Sequence, residues 1–298
     1  MSEIGIRPLE TIADFRAAEE LQGQVWASTH ERETVPLHML TTVAHSGGVA
    51  LGAWDAEAER LVGFVFGFLG TDDTEPDRPA LARLKHCSHM LGVLPEYRDR
   101  GIGYRLKLAQ MEAVHRQGIR LITWTFDPLE SRNANLNIAR LGAVCRTYKR
   151  EVYGQMADGL NVGLPSDRFQ VDWWITSHRV KQRLGGERPR LSLDAYLSAN
   201  APILNPTRLS PQGLPHMTAP AATPDGAICL VEIPADIQTV KAQDFELARE
   251  WRMQVRWIFE SAFEAGYIAT DFLLEKREGR MQAYYVLAHG EVRLGGQG

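Results

Sequence analysis

Apolar positions along the chain recur with two periods, and the switching between them sets out a succession of strands and helices. Residues 4–8 read as a short strand, after which Ile12, Phe15, Leu21, Val25 and Trp26 recur at helical spacing. A second helix starts near Pro36, a residue suited to a first helical turn, and ends before Gly47-Gly48. The runs 49–54 and 61–69, joined by the polar link 55–60, predict a hairpin. A loop rich in proline and aspartate, 70–79, leads to a strand over 85–93. Leu106, Ala109, Ala113 and Val114 then mark the buried stripe of a helix that Gly118 is placed to end.

A β-branched and aromatic run, 121–126, is the next strand. Residues 132–141 predict a short helix stopped at Gly142, and two strands follow at 144–153 and 169–175. Trp173-Trp174 in the second of these reads as core. From 176 to 227 periodicity fades among Gly185-Gly186 and several prolines, which predicts an extended connection. Order returns with a strand at 227–233 and one long helix at 242–265. Its stripe runs through Phe245, Ala248, Trp251, Val255, Ile258, Phe259, Ala262 and Phe263, and Gly266 stops it. A hairpin, 268–274 and 281–288, turns at Glu278-Gly279. The expected organisation is a domain at 1–177, an extended linker at 178–226 and a small strand, helix and hairpin appendage at 227–298, read as a packing or dimerisation element.

The turn after residue 93 carries the chemistry. Arg98-Asp99-Arg100-Gly101-Ile102-Gly103-Tyr104-Arg105 joins a strand to an amphipathic helix, so backbone N–H groups and the positive end of the helix dipole converge where glycine permits close approach. That combination suits an anion such as a diphosphate. A Walker loop needs Gly-Lys-Ser/Thr, and Gly103 is followed by Tyr104-Arg105. A dinucleotide fingerprint needs a third glycine where Leu106 stands.

What fits is Arg-x-x-Gly-x-Gly at Arg98, Gly101 and Gly103, and this resembles the coenzyme A loop of the GNAT acetyltransferases. The order strand, two helices, three strands, helix, strand, helix, two strands is also the GNAT order, so the resemblance covers residues 4–177. It implies an α+β fold with a mixed, mostly antiparallel sheet whose fourth and fifth strands splay apart to admit the pantetheine arm of acetyl-CoA or another acyl-CoA. Amides from Arg98 through Arg105 would bind the diphosphate, amides near Leu91 and Val93 the pantetheine and thioester carbonyl, and Asn133 and Asn137, with Asn135 and Tyr148 beside them, the pantetheine or sulfur. The implied activity is N-acyl transfer to a small-molecule amine or amino acid by direct attack.

Such attack needs a base, because an amine is mostly protonated at neutral pH. Counting back from Val93 by strand alternation puts His89 and Cys87 on one face, and members of this family commonly place a histidine or glutamate at one of these positions. His89 is the better base, or else a strand histidine bonded to a neighbour; Asp127 and Glu130 follow the fifth strand. One departure stands out. If Leu141-Gly142-Ala143 matches the family's Leu-Gly-Phe, Ile138 occupies the position of the tyrosine that protonates the departing thiolate, and Ser131 that of a helix-opening asparagine. A catalytically silent CoA-binding or protein-interaction module is therefore the second reading.

Composition narrows the classes. The 298 residues are 44% apolar with a formal charge of -4, which supports a globular core and argues against general affinity for nucleic acid or an anionic membrane. Basic residues cluster locally at Arg98, Arg100, Arg105 and Lys107. No apolar run approaches the roughly 20 residues of a membrane span, and Glu3 without an apolar segment after it does not read as a signal peptide, so the expected location is cytoplasmic. Three scattered cysteines and no metal-ligand spacing predict neither a disulfide framework nor a metal site. A homodimer is the expected assembly.

Overall fold

In a computed structural model, residues 3–26, 34–72, 77–154, 163–187, 189–277 and 279–289 are described, and the chain divides into two compact units that meet in sequence between Trp124 and Thr125. The first unit holds strands β1 (Ile4–Pro8), β2 (Val49–Asp55), β3 (Arg60–Thr71) and β4 (Leu84–Val93), with the opening residues of β5 (Leu121–Phe126). Their order is β1-β2-β3-β4-β5, antiparallel except for the parallel pair β4 and β5. Three helices cover this sheet: α1 (Ile12–Trp26), α2 (Leu37–His45) and α3 (Ile102–Arg116).

Local chemistry fixes where these elements begin. Thr11 and Asp14 form a reciprocal cap on α1: the Asp14 N–H donates to Thr11 Oγ1 at 3.1 Å and the Thr11 N–H donates to Asp14 Oδ2 at 3.1 Å. Arg7 bonds the same carboxylate at 2.9 Å and holds Asp14 well below the usual carboxylate range. In β3, Phe64 and Phe66 are fully buried on one face while Gly63 and Gly67 leave the other face low. A Cβ at Gly67 would stand 2.3 Å from His86 Nε2 and 2.5 Å from the Cys87 carbonyl, so only glycine lets β4 approach there.

The second unit is also sheet and helix. Strands β6 (Val144–Lys149), β7 (Arg168–Trp174), β10 (Ile228–Ile233), β11 (Tyr267–Arg277) and β12 (Arg280–His289) lie in the order β7-β6-β11-β12-β10, all antiparallel. The C-terminal hairpin thus continues the sheet that β6 and β7 begin, through Ala269 beside Cys145. An aromatic core of Phe169, Phe259, Phe272 and Tyr285, with ring centroids 4.6 to 5.3 Å apart, binds the sheet to the long helix α8 (Phe245–Glu264). Trp173 is fully buried, and its Nε1 donates to the Leu141 carbonyl at 2.8 Å.

Several expectations need correction. The long helix expected over 242–265 is α8, which starts only at Phe245 because Asp244 is extended (φ -148°, ψ 96°) and its side chain accepts from the Leu247 N–H; a separate short helix that the pattern did not show, α7 (Ile237–Gln243), precedes it. Segment 178–226 is not simply extended: it contains α5 (His178–Leu184), α6 (Leu193–Ser198) and a ribbon of β8 (Thr207–Leu209) with β9 (Pro215–Met217). Ser177 and Ser192 cap those helices, and each helix is too short to print a periodic pattern. The strand expected over 144–153 ends at Lys149, where Glu151 turns with φ 47° and its N–H donates to Asp167. Glu278 of the expected C-terminal turn and residues 73–76 of the expected loop 70–79 lie outside the described residues.

Candidate active site

The loop between β4 and α3 presents backbone donors. Gly101 is the N-cap of α3 with φ 73° and ψ 7°, a left-handed conformation that glycine adopts without Cβ strain. Asp99 is also left-handed, at φ 63°. Together they reverse the chain twice around Arg100. No side chain caps α3. The first internal amide bond is Arg105 N–H to the Gly101 carbonyl at 3.0 Å, so the helix opens with N–H groups at Ile102 and Gly103 that have no intrahelical partner. Fifteen residues of aligned peptide dipoles point their positive end at the same place.

The arginines of this loop hold their places by bonding carbonyls. Arg98 donates to the carbonyls of Val93 and Val25 at 3.4 Å each. Arg100 donates to Glu96 at 3.0 Å and lies over the Tyr97 ring, 4.7 Å from its centroid, while Tyr97 donates to Asp55 at 2.8 Å. Arg105 donates to the Ile4 carbonyl at 2.6 Å. The Ile102 side chain is buried in the core and the Tyr104 ring is half-buried, so at Ile102 only the backbone is available to a ligand.

Strand β4 contains a bulge that redistributes its side chains. Phe66 pairs with Met90 and Gly67 with Ser88, leaving His89 as the extra residue. Paired residues share a face, so Cys87, Met90 and Gly92 lie with Phe68, Phe66 and Phe64, whereas Ser88, Leu91 and Val93 lie on the α3 face with Gly67, Val65 and Gly63. Cys87 and His89 do share a face, His89 packing its ring 5.9 Å from Phe68 and 6.4 Å from Phe66. It is not the face of Val93, because the bulge breaks the alternation on which that count relied. Partial desolvation lowers the pKa of the His89 imidazole, although the residue as a whole is exposed. Cys87 Sγ lies 3.9 Å from Thr123 Oγ1.

The backbone of β4 has an open edge. Its pairing with β5 covers only His86 with Ile122 and Cys87 with Thr123, and Ser88 to Val93 continue beyond it. The Leu94 N–H donates to Val62 of β3 at 2.9 Å, so strand alternation turns the amides of Val93 and Leu91 toward the opposite edge.

Lys107 does not belong to the basic surface cluster in which the sequence placed it. It is buried at 3% exposure beneath the α3 face of β4, where Nζ donates to Ser88 Oγ at 2.7 Å and to Gln110 Oε1 at 3.3 Å and stands 3.7 Å over the Trp124 ring. Burial lowers its pKa to about 7. His86, fully buried, meets Gln110 Nε2 through its Nε2 at 3.2 Å, has no partner for Nδ1, and is pushed down to about 4 by burial and by Lys107. The sequence signal was present but unread: Lys107 and Gln110 fall within the helical stripe of Ile102, Leu106 and Val114, all buried.

No family model matches the sequence, and no curated protein matches it. Solved structures do. They include the Escherichia coli ribosomal-protein-S18-alanine N-acetyltransferase, with 14% identity and a TM-score of 0.45 over 59% of this chain and 96% of that one. Arabidopsis thaliana NAA60 in complex with acetyl-CoA matches with 18% identity and a TM-score of 0.46 over 59% of this chain and all (100%) of its own. Arabidopsis thaliana Naa50 in complex with a bisubstrate analogue matches with 14% identity and a TM-score of 0.43 over 57% and 97%. The likeness in fold is to GNAT N-acetyltransferases.

The asparagines that the GNAT resemblance assigned to the donor belong to the second unit. The short helix α4 (Ser131–Ala134) runs into a π-helical stretch, Asn135–Arg140, marked by the Leu141 N–H donating five residues back to Leu136 at 3.0 Å. Asn133 is exposed, Asn137 buried and Ile138 fully buried, so no hydroxyl stands at 138. Tyr148 donates to Asp167 at 2.7 Å, and burial raises its pKa far above the usual phenol range. Asp127 is likewise engaged, accepting from the Leu129 N–H at 2.8 Å and pairing with buried Arg252. Glu130 accepts from Gln238 at 2.6 Å, and burial raises its pKa. Sequence reasoning missed Arg252 too, since it interrupts the apolar stripe of α8.

Proposed function

We propose that the chain is an acyl-CoA-dependent N-acyltransferase that moves acetyl from acetyl-CoA to the amine of a small molecule or amino acid. The observation that carries this reading is the uncapped start of α3: a fifteen-residue helix opening behind left-handed Gly101, with first-turn amides lacking internal partners, is built to receive an anion. The amides of Ile102 and Gly103 would hold the diphosphate, joined by the charge of Arg98 and Arg100. The Leu91 and Val93 amides on the open edge of β4 would accept the pantetheine as though it were an added strand. Bound acetyl-CoA supplies the activated acyl carbon.

His89 then removes a proton from the attacking amine. Partial burial lowers its pKa and so favours the neutral imidazole, the form that accepts a proton. The nitrogen bonds to the carbonyl carbon, the carbon–sulfur bond breaks, and the electron pair leaves with sulfur.

The test is CoA release in the presence of a panel of amino acids and other small amines. His89→Ala is expected to lower kcat by about 10²-fold or more while leaving the Kd for acetyl-CoA within a few-fold, because general-base catalysis contributes roughly that much. The wild-type kcat/KM should fall on the acid side with a midpoint below the ordinary histidine value, in the direction of the desolvation shift. An unchanged rate and pH profile in the variant would remove His89 from the mechanism. The second reading, a silent CoA-binding module, is favoured by Ile138 and requires binding of acetyl-CoA without transfer to any amine.

A further inference from the structure

We propose that Lys107 is the proton donor to the departing sulfur, the role left open by Ile138; this rests on the acyltransferase reading above. Pairing between β4 and β5 stops at Cys87 and Thr123, and the next residue on each strand, Ser88 and Trp124, is the one that holds Lys107. The amine therefore stands where the two strands stop pairing, on the face from which α3 leads down from the anion-binding turn.

The hydrogen bonds around it run in one direction. Ser88 Oγ donates its proton to Gln110 Oε1 at 2.9 Å, which leaves the hydroxyl a lone pair for the Lys107 Nζ–H at 2.7 Å. Gln110 Nε2 faces His86 Nε2 at 3.2 Å, and since the amide nitrogen only donates, Nε2 accepts and the ring proton sits on Nδ1. Every link makes Lys107 the donor at the head of the chain. Its remaining neighbour, the Trp124 ring face, favours a cation as well. The groups packed against it are Ser88 and His86 of β4, Gln110 of its own helix and Trp124 of β5; among the described residues none is a carboxylate, and His86 is the one that titrates.

A lysine so buried without a counter-ion releases its proton near neutrality, whereas one paired with a carboxylate would hold it. A thiol is a weaker acid than such an ammonium, so transfer to thiolate runs downhill. In the proposed step the acceptor nitrogen bonds to the acyl carbon, the carbon–sulfur pair moves to sulfur, and the Lys107 Nζ proton follows it. Solvent then reprotonates the amine, and the proton lost by the acceptor leaves through His89.

The experiment measures kcat, the KM for acetyl-CoA and their pH dependence for wild type, Lys107→Met and Lys107→Arg, with folding checked by thermal unfolding. Lys107→Met is expected to lose about 10²-fold or more in kcat with little change in KM, since a general acid acts on the transition state rather than on binding. The alkaline fall in the wild-type rate, where Lys107 gives up its proton, should be absent from the variant. Lys107→Arg, whose proton does not dissociate, should not rescue. An acetyl thioester of an acidic aryl thiol, which leaves without a proton, should close most of the gap between wild type and Lys107→Met; a packing role predicts no such rescue. Ser88→Ala gives a second variant, with an expected loss of about 10-fold in kcat. Wild-type turnover together with an undiminished Lys107→Met, or a deficit that the aryl thioester leaves untouched, overturns the assignment of Lys107 alone. A wild-type protein that neither binds acetyl-CoA nor releases CoA overturns the acyltransferase reading itself.

Discussion

Two buried bases in the first unit make its stability depend on pH in opposite regions of the scale. Lys107 has a folded pKa of about 7 against an ordinary value of 10.5, so between these the unfolded chain binds the proton and the folded chain does not. Stability rises with pH through that window, and below it the whole burial penalty is felt. The shift corresponds to something on the order of 3–5 kcal/mol. His86, depressed to about 4, follows the same sign at lower pH: stability contributed by its neutral form is lost as pH falls from about 6.5 to about 4. Denaturant unfolding of wild type against Lys107→Met at several pH values checks this. The variant should be more stable at pH 6, by about 1–4 kcal/mol, and the advantage should shrink toward pH 10. A constant difference across pH would contradict the burial argument.

At the scale of elements, the strands and helices from Ile4 to Phe126 and the glycine turn were legible because each carries its own period or its own capping and turn residues. Their placement in sequence agrees with the structure to within a residue or two from Ile4 to Phe126. What sequence could not disclose were interruptions of those periods. The bulge at His89 is a register shift between β3 and β4, and nothing in the local pattern of β4 announces it. The π-helical stretch at Asn135–Arg140 shifts side chains relative to an α-helical count, and the apolar spacing there carries no mark of it.

Gly67 tests the close approach of β4 to β3. Gly67→Ala places a Cβ against the Cys87 carbonyl and the His86 ring, neither of which has room to move, and should destabilise the protein by about 1–3 kcal/mol in thermal or denaturant unfolding. A neutral result would mean that β4 approaches β3 less closely than described.

For the molecule as a whole, the fold class was readable and the division of labour was not. A net charge of -4 coexists with a turn in which Arg98 and Arg100 flank helix amides without intrahelical partners, so the positive charge the proposed function calls on is local to one turn rather than a property of the whole chain. The C-terminal segment was expected as an appendage, yet its hairpin shares a sheet with β6 and β7; long-range pairing of that kind leaves no trace in local periodicity. Among the described residues, no helix is long and apolar enough to cross a membrane.

Calorimetric titration of the full chain with CoA and with pantetheine, which lacks the diphosphate and nucleotide, decides whether the start of α3 binds a diphosphate. Saturable binding of CoA is expected, with pantetheine weaker by about 10²-fold or more and most of that difference lost in Gly101→Val, whose branched side chain resists the left-handed conformation. Equal affinity for the two ligands, or CoA binding indifferent to Gly101→Val, would contradict it.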